Sequence, residues 1–303
     1  MKLSYLITLS IPIILIGCSL FRFDASSYPE AELPPGTMKI GDNFYFDQTE
    51  ITNHHWCEYL YWTQQVYGES SKEYLDALPK STAWIELDSS YAYLDTFYLR
   101  HPSYRDYPAV GLSFQQVNNF AQWRSDRVFE YLLIREEVIE FNPNFNRDTF
   151  FTIEKYFTGN YLDYEPDERF IHYPSYSIPS MKDYIILDAL QDSINYKFDQ
   201  YCLKKDNQWT PIRCREVRIQ RQNETPWFEE PTAPVIQSKK GKYRPISHLN
   251  GNVMEFTSKP YLYFGLSYLD SCNQSRGLLR YDTSESNAYT GFRNVCTFKK
   301  WGK

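Results

Sequence analysis

The longest apolar run of the chain stands at its start. Lys2 is followed by Leu3 to Ile16, an uncharged and almost wholly apolar stretch, and then by Gly17 and Cys18. This run falls short of the ~20 apolar residues of a spanning helix and fits the core of an export signal. No later run approaches spanning length, so the body is expected to be soluble. Ser19 to Gly36 has no helical or strand period and holds Ser26, Ser27, Pro29, Pro34, Pro35 and Gly36, which reads as a tether over residues 18–36. From Thr37 the pattern changes. Residues 37–62 spell a short strand, a turn at Gly41-Asp42, a second strand, and a helix whose N-cap is Thr52 or Asn53. Residues 107–124 spell a strand and turn followed by an amphipathic helix. Val117, Phe120, Ala121 and Trp123 recur there at helical spacing, and both Phe120 and Trp123 are expected to be buried.

The end of the first run adds chemistry. Leu15-Ile16-Gly17-Cys18 resembles a lipobox, in which small and apolar residues precede a cysteine that is acylated at the membrane face before cleavage. The resemblance implies a signal peptide over residues 1–17, lipidation of Cys18, and a bacterial lipoprotein bound to a membrane through that lipid. One acyl chain binds only marginally and several anchor stably; lipoproteins of this kind carry three. Ser19, in place of the Asp that retains such proteins at the inner membrane, implies delivery to the outer membrane.

Composition narrows the function classes. The chain is 42% hydrophobic and 18% aromatic, with 27 Tyr, 20 Phe and 7 Trp, so a large core is expected and disorder is not. A net charge of −6 argues against nucleic acid and against an electrostatic grip on anionic lipid. Beyond Cys18 stand Cys57, Cys202, Cys214, Cys272 and Cys296. An oxidising compartment permits disulfides, the odd number leaves at least one thiol outside them, and Cys202 with Cys214 or Cys272 with Cys296 are the candidate pairs. There is no CxxC and no zinc spacing. His54 and His55 are adjacent, point apart on a helix, and read as rim residues.

Ordered motifs then point to a family. Glu50-Ile51-Thr52-Asn53 is similar to an E-V-T-N signature, and residues 107–124 to P-V-x-x-V-S-W-x-x-A-x-x-F-x-x-W. Tyr176 to Ser180 with Lys182-Asp183-Tyr184 resembles R-L-P-T-E-A-E-W-E. Ala233-Pro234-Val235, Gly251 to Phe256 and Gly291-Phe292-Arg293 resemble A-P-V, G-N-V-W-E-W and G-F-R. Together these resemble the formylglycine-generating-enzyme (sulfatase-modifying factor) family. Residues 98–127, from Tyr98-Leu99-Arg100-His101-Pro102 to Trp123-Arg124-Ser125-Asp126-Arg127, further resemble the GldJ-like gliding-motility lipoproteins of Bacteroidota. The implied fold is α+β, with a C-type-lectin-like kernel, little regular secondary structure and long insertions. The implied domain covers residues 37–299, with insertions at about 128–173 and 191–226 that match nothing in the family.

The resemblance also implies chemistry that can be checked residue by residue. Enzymes of the family oxidise a substrate cysteine with a C-x4-C pair that binds copper, and soft thiolates suit Cu(I). The matching stretch here is Gly265-Leu266-Ser267-Tyr268, which puts the two cysteine positions on Asp270 and Ser275; Cys272 is alone and displaced. The oxidase reaction is therefore expected to be absent, and no other catalytic motif appears. A structural calcium is implied at Gly251, Val253 and Glu255, but the position of a further oxygen ligand holds His248. The alternative role for Glu255 is to accept backbone N–H groups and staple the turn. The expectation is an inactive, membrane-anchored lipoprotein without a resident cofactor, serving as a structural component among the protein partners of the gliding-motility and type IX secretion apparatus. A surface lectin-like or substrate-capture module, with Tyr261-Leu262-Tyr263-Phe264 as its aromatic platform, is the alternative. An active formylglycine-generating oxidase is a third reading.

Overall fold

Polar side chains set the ends of both long helices. In helix α1 (Asn53–Tyr67), Thr52 is the N-cap and accepts from the His55 amide, while His55 Nδ1 accepts from the Thr52 amide. In helix α5 (Phe114–Arg135), Ser113 and Gln116 make the same reciprocal box. Between them lie three short helices, α2 (Lys72–Ala77), α3 (Ala83–Leu87) and α4 (Ala92–Phe97). The computed structural model describes residues 34–190, 231–235, 246–270, 279–282 and 286–302.

Two small sheets complete the body. The first has the order β1 (Thr37–Gly41), β2 (Phe44–Asp47), β8 (Val295–Lys300), β3 (His172–Ser177), with every neighbouring pair antiparallel. The second has the order β6 (Leu279–Tyr281), β5 (Leu262–Phe264), β4 (Met254–Phe256), β7 (Thr290–Gly291), with only the β4–β7 pair parallel. Closing strand β8 beside β2 and β3 joins the two ends of the described chain. The mixed architecture agrees with the α+β expectation.

The main core is aromatic. Trp56 of α1 stacks on Phe120 of α5 (5.4 Å, 16°) and meets Phe292 edge-on (6.0 Å, 89°). Burial of each such ring stabilises by roughly 1.5–3 kcal/mol. Phe120 is buried as expected, but Trp123 is only half-buried. At 3.6 residues per turn Trp123 lies well off the stripe of Val117, Ala121 and Val128, and it leans on the rims of Tyr59 and Phe120. Residues 181–190 are helical and begin with a reciprocal cap between Ser180 and Asp183. Tyr184 turns inward from this helix, stacks on Phe264 at 4.5 Å, and donates to the Phe256 carbonyl.

Several expectations need revision. The last three tether residues are pinned to the body: the Pro34 carbonyl accepts from Thr37 Oγ1, Pro35 from Arg124, and Gly36 from the Gln48 amide. Residues 128–173 are a folded unit. Helix α5 runs straight through residue 128, and Phe129 and Leu133 of its second half join Phe151, Ile153, Tyr156 and Tyr161 in a separate core. Helix α6 (Ile153–Phe157) belongs to that core, and Phe157 stacks on Trp301 at 4.8 Å. The second insertion, at 191–226, lies outside the described residues. Cys296 is fully buried on β8 opposite Tyr45 and Tyr176, and burial pushes its thiol up to about 12. Cys272, its candidate disulfide partner, lies outside the described residues, as do Cys18, Cys202 and Cys214.

Candidate functional site

The family-like motifs converge on one buried polar knot. Glu50 precedes α1, Asn252 and Glu255 sit at the start of β4, Ala233 lies in a loop, and Arg293 follows β7. Arg293 and Glu255 are both wholly inaccessible, and Nε and Nη2 of Arg293 donate to the Glu255 carboxylate at 2.5–2.8 Å. The same guanidinium donates to the carbonyls of Asp47 (3.2 Å) and Ser247 (2.8 Å). Its Nη2 lies 4.0 Å from Glu50 Oε2, while Glu50 Oε1 accepts from Asn252 at 3.0 Å. Asn252, at φ +65, also exchanges hydrogen bonds with both backbone groups of Ala233. Asn is one of the few residues that adopts this left-handed backbone readily.

The charges in the knot do not balance, since two carboxyls share one guanidinium. Burial raises the Glu50 carboxyl to about 8, partly opposed by Arg293, so Glu50 is protonated at neutral pH. Burial also raises Glu255, and the Arg293 charge opposes it. The Glu255 carboxylate therefore takes its bonds from a guanidinium, not from backbone N–H groups as the alternative reading had it. This donor set does not suit the calcium implied at Gly251, Val253 and Glu255, because the only carboxylate of that turn is held by a cation.

A cleft opens on the other side of β4. Its volume is about 380 Å³ and its walls include Met254, Ser267, Leu269, Arg280, Asp282 and Tyr289. Gly265, at φ +86, lets the chain leave β5; a Cβ there would lie 2.8 Å from the Leu249 carbonyl. The chain then reaches Asp270, the position matched to the first copper-binding cysteine. Asp270 Oδ2 accepts from the Ser267 amide (2.7 Å) and hydroxyl (3.1 Å), and Oδ1 is ion-paired with Arg280 of β6. A hard carboxylate already matched by a guanidinium is a poor ligand for a soft Cu(I) ion. Ser275 lies outside the described residues. At the rim Tyr281 is 71% exposed and Tyr261 is 6.2 Å from it. Tyr263 and Phe264, the other aromatics of the expected platform, are core residues.

Sequence reasoning passed over two further clusters. Arg124 donates to Asp47 (2.7 and 2.9 Å), Asn294 (3.2 Å) and the Pro35 carbonyl, and lies over the Tyr176 ring at 4.1 Å. Its neighbours are clamps as well: Ser125 accepts from the Tyr176 amide, and Asp126 from that of Ile153. The available signal was a run of polar residues on the inner face of α5. The second cluster joins α1 to the loop at 98–107. Asn53 donates to the carbonyls of Tyr98 and Tyr104, Arg105 bonds His54 (3.0 Å), and His54 Nε2 faces Glu58 at 3.4 Å. Burial lifts Glu58 to about 8 and lowers His54. His55, spent on the helix cap, is lowered to about 3 by burial.

A model of the family described as "Sulfatase-modifying factor enzyme 1-like domain" matches residues 12–297. Among solved structures, Treponema denticola variable protein 1 is similar at 11% identity and a TM-score of 0.36, covering 88% of this chain and 93% of that one. No curated protein matches the chain.

Proposed function

Since the chain belongs to the sulfatase-modifying factor enzyme 1-like domain family, we propose that it is a catalytically inactive member, anchored to the bacterial outer membrane through lipid on Cys18 and acting as a structural component of a gliding-motility and type IX secretion apparatus. The observation that carries the inactive reading is the Asp270–Arg280 ion pair at the first cysteine position. Two thiolates are needed there to hold copper, and a carboxylate tied to a guanidinium and a serine supplies neither softness nor a free base. The structural role draws support from residues 98–127, the part most similar to GldJ-like lipoproteins, which form the clamp loop and most of α5. Arg124, Ser125 and Asp126 of this stretch hold distant parts of the body together.

The test has two arms. Mature protein incubated with copper should leave the cysteine of a sulfatase-derived peptide unoxidised by mass spectrometry, and formylglycine above the no-enzyme control refutes inactivity. Cells making Cys18→Ser should lose palmitate label from the protein; retained label refutes the anchor.

A second reading, a capture module, is favoured by the Tyr261–Tyr281 pair at the cleft rim. Tyr261 holds φ +61, an outlying conformation for a bulky residue, and such strain collects at binding sites. Loss of glycan or peptide retention in Tyr281→Ala, with no effect on assembly, would favour this reading over the structural one.

A further inference from the structure

The negative charge of the chain is not spread evenly. Residues 128–173 hold ten carboxylates and four cations, a surplus of six that equals the net −6 of the whole chain, so the remainder is balanced. All four cations are already engaged. Arg135 pairs with Glu136, Arg169 with Asp167, and Arg147 with Glu73 of α2, while Lys155 donates to the carbonyls of Asp148 and Phe150. Glu137, Glu140, Asp163 and Glu165 are exposed and form no ion pair among the described residues.

Two large apolar side chains lie among these acids. Phe141 is 63% exposed and Leu162 is 44% exposed. One hydrogen bond brings their segments together: the Glu140 amide donates to the Tyr164 hydroxyl at 3.0 Å. Tyr164 stacks in turn on the fully buried Tyr161 at 6.0 Å, which fixes this edge to the core of the unit. Phe141 and Leu162 thus stand exposed on two segments tied together by this bond, each next in the chain to an unpaired carboxylate, Glu140 and Asp163. Exposed apolar groups with a polar border mark interaction sites, and the border charge selects the partner.

We propose that Phe141 and Leu162, bordered by Glu137, Glu140, Asp163 and Glu165, form a docking surface for a basic, amphipathic protein segment whose apolar residues cover the pair and whose Lys or Arg side chains meet the acids. Anionic membranes and nucleic acids are repelled by the same charges. The surface stands whether or not the protein is lipid-anchored or inactive.

Fluorescence anisotropy of purified mature protein with a labelled Lys/Leu amphipathic peptide tests it, with an all-Lys peptide and a Glu/Leu peptide as comparisons. The Lys/Leu peptide should bind best and weaken as salt is raised. Phe141→Ser with Leu162→Ser, and separately Glu140→Gln with Asp163→Asn and Glu165→Gln, should each weaken it by about tenfold. Circular dichroism melts of both variants should overlay wild type, as all five positions are exposed; where the apolar double variant melts early, Phe141→Ser alone replaces it. The proposal is overturned if the Lys/Leu peptide fails to bind, binds both variants like wild type, or is matched by the Glu/Leu peptide. Retention on phosphatidylcholine vesicles that disappears with Phe141 and Leu162, without Lys/Leu binding, would assign the surface to a membrane instead.

Discussion

Replacing Glu50 by Gln should make the protein more stable at neutral pH, an unusual result for a wholly buried acid. The Glu50 carboxyl is raised to about 8 in the folded protein from 4.5 when unfolded. Its contribution to stability is therefore fully present below pH 4.5 and is lost as pH rises through 8, because the unfolded chain releases the proton first. Each pH unit in that window costs roughly 1.4 kcal/mol. At pH 7 the native protein has forfeited about 3 kcal/mol relative to pH 4.5 through this one group. Gln cannot ionise in either state, and its carbonyl can still accept from Asn252 as Glu50 Oε1 does. The variant should match wild type near pH 4.5 and exceed it by about 3 kcal/mol at pH 7. Urea unfolding of both proteins at several pH values measures this directly. Glu58, also raised to about 8, and Asp126, raised to about 6, titrate in both proteins and cancel in the difference. Parallel stability curves for the two proteins would refute the reasoning and show that Glu50 is ionised in the fold.

Three other substitutions probe the knot and the core. Glu255→Gln should destabilise by ~3–5 kcal/mol near neutral pH, because Arg293 is left buried without the carboxylate it is bonded to. Millimolar Ca²⁺ added to chelator-treated protein should leave the melting temperature unchanged; a rise of several degrees that is lost in Glu255→Gln would restore the calcium reading. Phe120→Ala should cost ~3–5 kcal/mol, and Trp123→Ala clearly less because its ring is only partly buried. Equal losses in urea titrations would mean that Trp123 belongs to the core after all.

What the sequence discloses and what it hides divide along physical lines. The β1–β2 hairpin, the cap of α1 and the stripe of α5 are legible because turn residues, a capping hydroxyl and a 3.6 period act within a few positions. The knot is only half legible. Glu50, Asn252, Glu255 and Arg293 stand out as motifs, yet they are far apart in the chain, and no local rule pairs Glu255 with Arg293 in preference to nearby amides. The fold of residues 128–173 is hidden for a different reason. Its core is built from Phe129, Phe151, Tyr156 and Tyr161, aromatics at irregular spacing on the second half of α5, one short helix and connecting turns, so no period announces it. Parity arithmetic likewise could not show that Cys296 faces inward on β8.

The clamp on Pro35 has a mechanical consequence. With Cys18 lipidated as proposed, residues 18–33 reach at most ~55 Å at 3.3–3.6 Å per residue, which sets the greatest standoff between membrane and body. A pull on that leash enters the body where the Pro34, Pro35 and Gly36 carbonyls are held, and Arg124 passes it to Asp47 at the end of β2. From there it spreads to Asn294, beside β8, and along α5. Force from the anchor is thus carried sideways into the first sheet and the longest helix, instead of peeling edge strand β1 away from its neighbour one hydrogen bond at a time. A part working between a membrane and a moving assembly would be strained along this line, and Arg124 is the bolt at which the line begins.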